Sequence, residues 1–483
     1  MEKYMILIDR TVGQEISILN TVLAYTPFII STLILDNDRQ KAAVLDFINK
    51  TGSKRIEAVY TIAEIDRWDD ASGLDYDFIN SCRPAQLKVE NSLTRYTGDY
   101  NERKYVYYMA SSFWNLQIKR HPISLIVVAD TLHGLPYDAI PQQIAKNNNL
   151  HFLSYECFGV NPWNRFMFDY STRELIRINN EQSHCIKEYH ENATNDMLNI
   201  DLGKFPEVNP EQLPEEQRGE YLLLKEIDKL AGPLGVDVFQ AFRHNSFHQR
   251  KQIASCGFTT SVYEDLKAYQ DFMKTKRYLY AHEKKDVDFD TPYIFYALHF
   301  EPEASIQCRL TFEAQLALIK MISQALPPNW KLYIKEHPHQ YNINTYTLSY
   351  HVSTINLFKT IKYYKRILET PNVVVVSHEY KSEELAKKSV AVAGLVGTII
   401  METITYKKPI LLFSEVHPGV KIPAILKCFS FEQLKAAMQK LQEGYTPDYS
   451  DAEEILNQYV FGSVEDYQRN TVGLLNWIYN NIA

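Results

Sequence analysis

None of the six cysteines, Cys82, Cys157, Cys185, Cys256, Cys308 and Cys428, stands in a C-x-x-C pair. That scatter excludes a disulfide framework and a zinc-ribbon spacing, and it points to reduced thiols in a cytosolic protein. Positive charge is short as well: 51 Lys and Arg face 59 Asp and Glu, for a net charge of −8. A chain without a basic field has nothing to gather nucleic-acid phosphates, so a nucleic-acid partner is not expected. Long apolar runs are missing too. The longest, from Pro27 to Leu35, is interrupted by Ser31 and Thr32 and falls far short of the ~20 residues that span a bilayer. The opening MEKYMILIDR carries an acidic second residue and an apolar run that stops at Asp9, which reads as a first strand and not as a signal peptide. Any membrane contact is therefore expected from the surface. No internal repeat or low-complexity tract interrupts the chain.

What is present has the composition of a globular protein, 45% hydrophobic and 23% charged. A chain of 483 residues exceeds a single core, so two domains with an additional helical segment are expected. From Tyr4 to about Tyr155, the β-rich runs MILID, FIISTLIL, IEAVYT, SLIVVAD and HFLSY alternate with helical patterns such as KAAVLDFINK and AIPQQIAKNN. Such alternation predicts βαβ units around a parallel sheet. From Asn161 to Lys276 the pattern turns helical around an acidic, proline-bearing stretch between Asp201 and Glu220, which reads as a loop or linker. LLLKEIDKLAGP and YEDLKAYQDFMKTKRYLY have helical periodicity.

A second α/β unit opens near Thr291. Its first helix, FEAQLALIKMISQALP, places Leu316, Ile319 and Ile322 on one face and stops at Pro327-Pro328. The basic run FKTIKYYKRILE reads as a helix with a solvated basic face, the alternative being a patch for a membrane or acceptor. The tail from Phe431 is amphipathic. The plan is thus a Rossmann-like domain over 1–160, a helical linker over 161–290, a second Rossmann-like domain over 291–430, and C-terminal helices over 431–483.

Strand ends carry the chemistry, because open α/β sheets bind ligands at their carboxyl edges. After YIFYALHF, Glu301 and Glu303 flank Pro302. Paired carboxylates in a cleft serve as base, nucleophile or holder of sugar hydroxyls, and as loop glutamates they are merely solvated. After KLYIKE, Pro338 directs the chain out of the strand and leaves His337 free to donate to a phosphate, as an imidazolium when protonated, with Lys335 on the same face. In GLVGTIIMET, Gly397 permits close backbone approach of a phosphate. The helix start and the Thr398 hydroxyl supply donors, and Glu402 one turn on can accept from ribose hydroxyls. A plain strand–helix turn is the alternative there. In DTLHGLPYDA, Asp130, His133 and Asp138 follow a strand of the first sheet, either facing a ligand or capping the next helix. No metal-ligand pattern is present.

Two α/β domains with a cleft between their carboxyl edges describe the GT-B arrangement, among other two-domain enzymes. The succession LHFEPEAS, LPPNWKLYIKEHP, PNVVVV and GLVGTIIMETITYKKPILLF resembles the capsule polysaccharide biosynthesis family of GT-B glycosyltransferases, which includes bacterial Kdo transferases. The resemblance covers roughly Pro292 to Ser414. It implies a sugar nucleotide, CMP-linked by preference, bound in the C-terminal domain with His337 on its phosphate and Glu402 on its ribose. It further implies a glycan or glycolipid acceptor on the N-terminal domain, no metal, and a cytoplasmic location with peripheral contact to the inner membrane or a polysaccharide assembly complex. Relatives that transfer β-Kdo carry an acidic run before Ala-Ser-Ile; Glu301-Pro302-Glu303 stands there in this chain, with Glu303 the implied catalytic carboxylate. Glu and Pro in place of aspartates leave Kdo itself and retention of configuration open. A teichoic-acid-type polyol-phosphate transferase shares the fold but resembles paired serines where Gly397-Thr398 stands. A non-hydrolysing sugar-nucleotide epimerase would need more acidic cleft residues. A non-catalytic scaffold in polysaccharide assembly would keep the fold without turnover.

Overall fold

The computed structural model describes residues 2–14, 16–96, 99–158, 165–178, 262–341 and 352–481. The first sheet holds β1 (Tyr4–Asp9), β2 (Ile29–Leu35), β3 (Val59–Thr61), β4 (Ile123–Val128), β5 (His151–Cys157), β6 (Arg165–Asp169) and β7 (Glu174–Leu175) in the order β3-β2-β1-β4-β5-β6-β7. β1 to β5 are parallel, and β6 and β7 add an antiparallel edge. The second sheet holds β8 (Tyr293–Ala297), β9 (Lys331–Lys335), β10 (Val373–Val375), β11 (Ala391–Gly394), β12 (Ile410–Leu412) and β13 (Leu426–Lys427), all parallel in the order β10-β9-β8-β11-β12-β13. Both are doubly wound, and the order reverses between β1 and β4 and between β8 and β11. Those reversals are where such sheets open a crevice for ligands.

The strands read as continuous apolar runs because helices cover both faces of a parallel sheet. β1 is buried from Met5 to Asp9. Ser31 and Thr32 are buried inside β2, where their hydroxyls donate to the Met5 carbonyl and to Gln117. The helices used below are α1 (Ile18–Tyr25), α2 (Arg83–Leu93), α3 (Pro136–Asn147), α4 (Val262–His282), α5 (Ala304–Gln307), α6 (Gln315–Ala325), α7 (Ile361–Leu368), α8 (Thr398–Thr405) and α9 (Val464–Asn481). In α6 the buried face runs through Gln315, Leu318, Ile319 and Ile322. Leu316, expected on that face, lies half-buried at its edge, since a 3.6-residue repeat through Ile319 and Ile322 selects Leu318 and Gln315 instead. α7 buries Tyr363, Tyr364 and Ile367 and exposes Lys362, Lys365 and Arg366, the solvated basic face expected of that run.

The first sheet continues past residue 160 through β6 and β7, inside the stretch expected as a helical linker. The acidic loop Asp201–Glu220 and LLLKEIDKLAGP lie outside the described residues; YEDLKAYQDFMKTKRYLY falls in α4. The chain then returns to its beginning. Phe461 N–H donates to the Arg165 carbonyl at 2.9 Å, Ile178 N–H to the Gln458 carbonyl at 2.8 Å, and Tyr467, Leu475 and Ile478 of α9 join the core around Met5, Ile18 and Tyr155. Among the described residues no helix is long and apolar enough to cross a membrane.

Candidate active site at the facing sheet edges

The chain leaves β8 as Leu298-His299-Phe300-Glu301, and a buried polar network holds that exit. His299 N–H donates to Gln315 Oε1 at 2.8 Å, and the His299 carbonyl accepts from Lys359 Nζ at 2.6 Å. Lys359 is 1% exposed and pairs at 2.7 Å with Glu336, which is 4% exposed. Glu336 also accepts from the Tyr364 hydroxyl and from the His337 N–H. Gln340 bonds both backbone groups of Glu301, and Gln315 Nε2 donates to Glu301 Oε1 at 2.8 Å. Burial raises the Glu301 pKa, against the pull of Lys359 and Gln315. Removing one partner of a buried ion pair strands the other charge, so this network fixes the ends of β8 and β9 against each other. Glu301, expected at the cleft, thus serves inside the network, and the following peptide to Pro302 is cis.

Glu303 is half-buried at the start of α5, where its carbonyl accepts from the Ile306 and Gln307 N–H groups and its side chain does not cap the helix. The segment beyond it crosses to the other domain. Cys308 Sγ donates to the Leu132 carbonyl at 3.1 Å, and Arg95 of the first domain reaches Gln307 Oε1 at 3.2 Å and the His133 carbonyl. Arg309 pairs with the buried Glu156 at 2.5 Å, and Arg173 with Glu415. Gly134, at φ +69°, allows this approach, because an added Cβ would lie 2.6 Å from Cys308 Cβ and 2.4 Å from Ser92 Oγ. The segment after β8 therefore meets the loop after β4, and the two carboxyl edges face each other.

On the second sheet, Gly397 adopts φ 97°, open to glycine, and begins α8 with no side-chain cap. Ile400 N–H donates to the Gly397 carbonyl at 3.4 Å, and the N–H groups ahead of it in the first turn have no intrahelical partner and are available to an anion. Burial raises the Glu402 pKa, against the pull of the Thr398 hydroxyl one turn before it. His337 is half-buried, with Nδ1 accepting from the His339 N–H at 3.2 Å. Burial, then the nearby His339 and Lys359, holds its pKa well below the ordinary value. The ring is thus held neutral, not as the imidazolium that its sequence position suggests. Lys335 is buried and turns to Ser382 Oγ at 3.3 Å; burial lowers its pKa against the pull of Glu283 and Glu336. Pro338 is exposed beyond the strand.

On the first sheet, Asp130 lies between Arg165 at 3.2 Å and Arg10 at 3.4 Å. Arg10 also contacts the His133 ring at 3.2 Å and Asp36 at 3.0 Å. Burial, followed by Arg10, Arg95 and Arg309, drives the His133 pKa far down. Asp138 is buried and accepts from the His133 and Gly134 N–H groups at 2.5 and 3.2 Å, shaping the loop ahead of α3; burial raises its pKa to about 6. Neither Asp130 nor Thr131 caps α3, whose cap position is Leu135.

Sequence reasoning passed over His299, Gln315, Lys359, Arg10, Arg95 and Arg309. His299 stood inside the quoted LHFEPEAS, but only its carboxylates carried a recognised pattern. A shallow depression of 710 Å³ on the first domain, lined by Gln14, Ser17, Asn20 and residues 462–465 and 468, contains none of the expected site residues. Among the described residues no group of three or more His, Cys, Asp or Glu side chains is set to hold a metal ion.

Two separate Rossmann-like sheets with facing carboxyl edges, and the C-terminal helix returned to the first, make this a GT-B-like α/β fold. No protein-family model and no curated protein matches the chain. Among solved structures, the UDP-GlcNAc 2-epimerase of Methanocaldococcus jannaschii is similar at 12% identity over 99% of this chain and 100% of its own, with a TM-score of 0.25. The KpsC β-Kdo 2,7 transferase of Thermosulfurimonas dismutans is similar at 12% identity over 75% of this chain and 89% of its own, with a TM-score of 0.26. The α,α-trehalose 6-phosphate synthase of Burkholderia multivorans is similar at 9% identity over 99% and 97%, with a TM-score of 0.29. Likeness at that level carries no argument about activity, and the fold class rests on the sheets themselves.

Proposed function

We propose that the chain is a nucleotide-sugar-dependent glycosyltransferase, with the donor on the second sheet and the acceptor on the first. The observation that carries this reading is the glycine-opened, uncapped start of α8 at the point where the order of the second sheet reverses. The sequence resemblance favours a CMP-linked ulosonic acid such as Kdo as donor and a capsular or other surface glycan as acceptor, worked on at the cytoplasmic face of the membrane. In this reading His337 and the first turn of α8 hold the phosphate, Glu402 holds the ribose, and Lys335 and Pro338 shape the β9 exit. Asp130, His133 and Asp138 form the wall on the acceptor side, and no metal is invoked.

Glu303 is the carboxylate assigned to the chemistry, because Glu301 is committed to Gln315. As a nucleophile it attacks the anomeric carbon, the bond to the nucleotide phosphate breaks, and the acceptor oxygen later displaces the carboxylate with net retention. As a base it takes the acceptor hydroxyl proton while that oxygen displaces the nucleotide directly. Thermal-shift measurements with CMP, CDP, UDP and GDP test the donor reading, since a ligand of the native state alone raises Tm. No shift with any of them would overturn it. Glu303→Gln is expected to keep nucleotide binding and lose at least about 100-fold in transfer. Intact-protein mass spectrometry with donor alone separates the two routes, because only the nucleophile leaves a sugar on the 301–305 peptide.

A further inference from the structure

His299 stands apart from the other polar groups at the exit of β8. Its backbone N–H and carbonyl are paired with Gln315 and Lys359, but its ring nitrogen Nε2 is buried without a hydrogen-bond partner. Buried polar groups of a fold are nearly always paired, yet neither ring nitrogen has a hydrogen-bond partner: Nε2 is closed in, and Nδ1 lies on the ring edge that looks towards Gly397. The residue is 9% exposed, and the Nδ1–Cε1 edge of its ring faces Gly397: a Cβ added there would lie 3.5 Å from Cε1 and 4.0 Å from Nδ1. Glycine at 397 thus keeps both the backbone and the imidazole edge uncovered at one spot. The open start of α8 lies at the same spot, and Gly397 itself is exposed.

Those groups share one chemistry. The first-turn N–H groups are donors with a positive field. A neutral imidazole carries one N–H to give. Burial, with Lys359 and Arg309 nearby, holds the His299 pKa at about 3, so it stays neutral. The carboxylate of α8, Glu402, lies one turn further on, and burial raises its pKa. We propose that His299 is a phosphate-contacting residue of the donor site, giving its Nδ1–H to the phosphate oxygens received by the first turn of α8. The proposal rests on the nucleotide-donor reading and adds to it a residue on β8. His337 then contacts the ligand from β9, and His299 closes the site from beneath.

The test is isothermal titration calorimetry of the full chain with CMP, CDP, UDP and GDP. His299→Ala is expected to weaken the nucleotide that binds best by about tenfold or more, as for loss of one hydrogen bond to a charged group. His299→Gln, which retains an amide donor, is expected to stay within about threefold of the parent. Should His299→Ala fail to fold, ¹⁵N spectra of the parent's histidine rings decide the matter, since the His299 resonance must shift on adding that nucleotide. A folded His299→Ala chain of parental affinity, or a His299 resonance indifferent to bound nucleotide, overturns this proposal alone. A parent chain that binds none of the nucleotides overturns the donor reading and this proposal with it.

Discussion

The two sheet edges that face each other are built on opposite principles. On the first, the polar groups satisfy one another: Asp130 between Arg10 and Arg165, Glu156 under Arg309, Ser154 and Tyr170, and Asp138 on two backbone N–H groups. One oxygen of Asp138 and the Nε of Arg309 are left over. On the second, the saturated network sits one layer deeper, among Lys359, Glu336, Gln315, Gln340 and Glu301. Above it an uncapped helix and an imidazole remain unspent. A largely self-saturated edge suits a scaffold and a wall, whereas an open helix start beside a rigid support suits an anion. The difference supports the proposed placement of the donor on the second sheet.

Removing the rigid support is expected to have the largest effect. Lys359→Met leaves Glu336 charged and buried without its partner, at a cost of about 3–5 kcal/mol, read from urea or thermal unfolding. Adding Glu336→Gln should recover part of that loss. A single variant as stable as the parent would mean that the network does not hold the donor edge.

Next comes the contrast in nucleotide affinity between the edges. His337→Ala should cost about 1.5–3 kcal/mol, a fall of roughly ten- to a hundredfold in affinity by calorimetry. Asp138→Asn, on the wall, should leave that affinity unchanged and lower transfer to the acceptor. Equal effects of the two on nucleotide binding would erase the contrast.

The smallest effect concerns pH. Asp138 titrates at about 6 in the fold and near 3.8 when free. Between those values the folded chain holds a proton that the unfolded chain has released. Stability from this group is therefore full below about 4, falls as pH rises, and is lost above about 6. The difference is on the order of 3 kcal/mol. Asp138→Asn should flatten this slope relative to the parent in urea midpoints at pH 4.5 and 7. A variant that keeps the parental slope would show that another group carries it.

Much of the frame was legible without coordinates. Continuous apolar runs marked β1, β2, β4, β5, β8 and β9, because strands covered on both faces need no alternation. Proline and glycine marked the exits, and the carboxyl-edge rule then placed Glu301, Glu303, His337, Gly397 and Asp130 at strand ends. These are local properties, set by neighbours within a turn or a strand. What each strand-end residue does there is not local. Glu301 reads as a cleft carboxylate until Gln315 and Gln340 are seen to enclose it. Lys359 reads as one more cation of a basic helix, yet it lies buried against Glu336 while Lys362, Lys365 and Arg366 stay in water. His299 meets Gly397 only because β8 and β11 are neighbours in the sheet, and α9 reaches β1 only through the returning chain. The sequence by itself determined most of the strands and helices, though not β6 and β7, since backbone preference and periodicity are written in adjacent residues. The tertiary structure alone decided which charges are buried, which are paired and which donors are left over, because desolvation and pairing depend on partners distant along the chain.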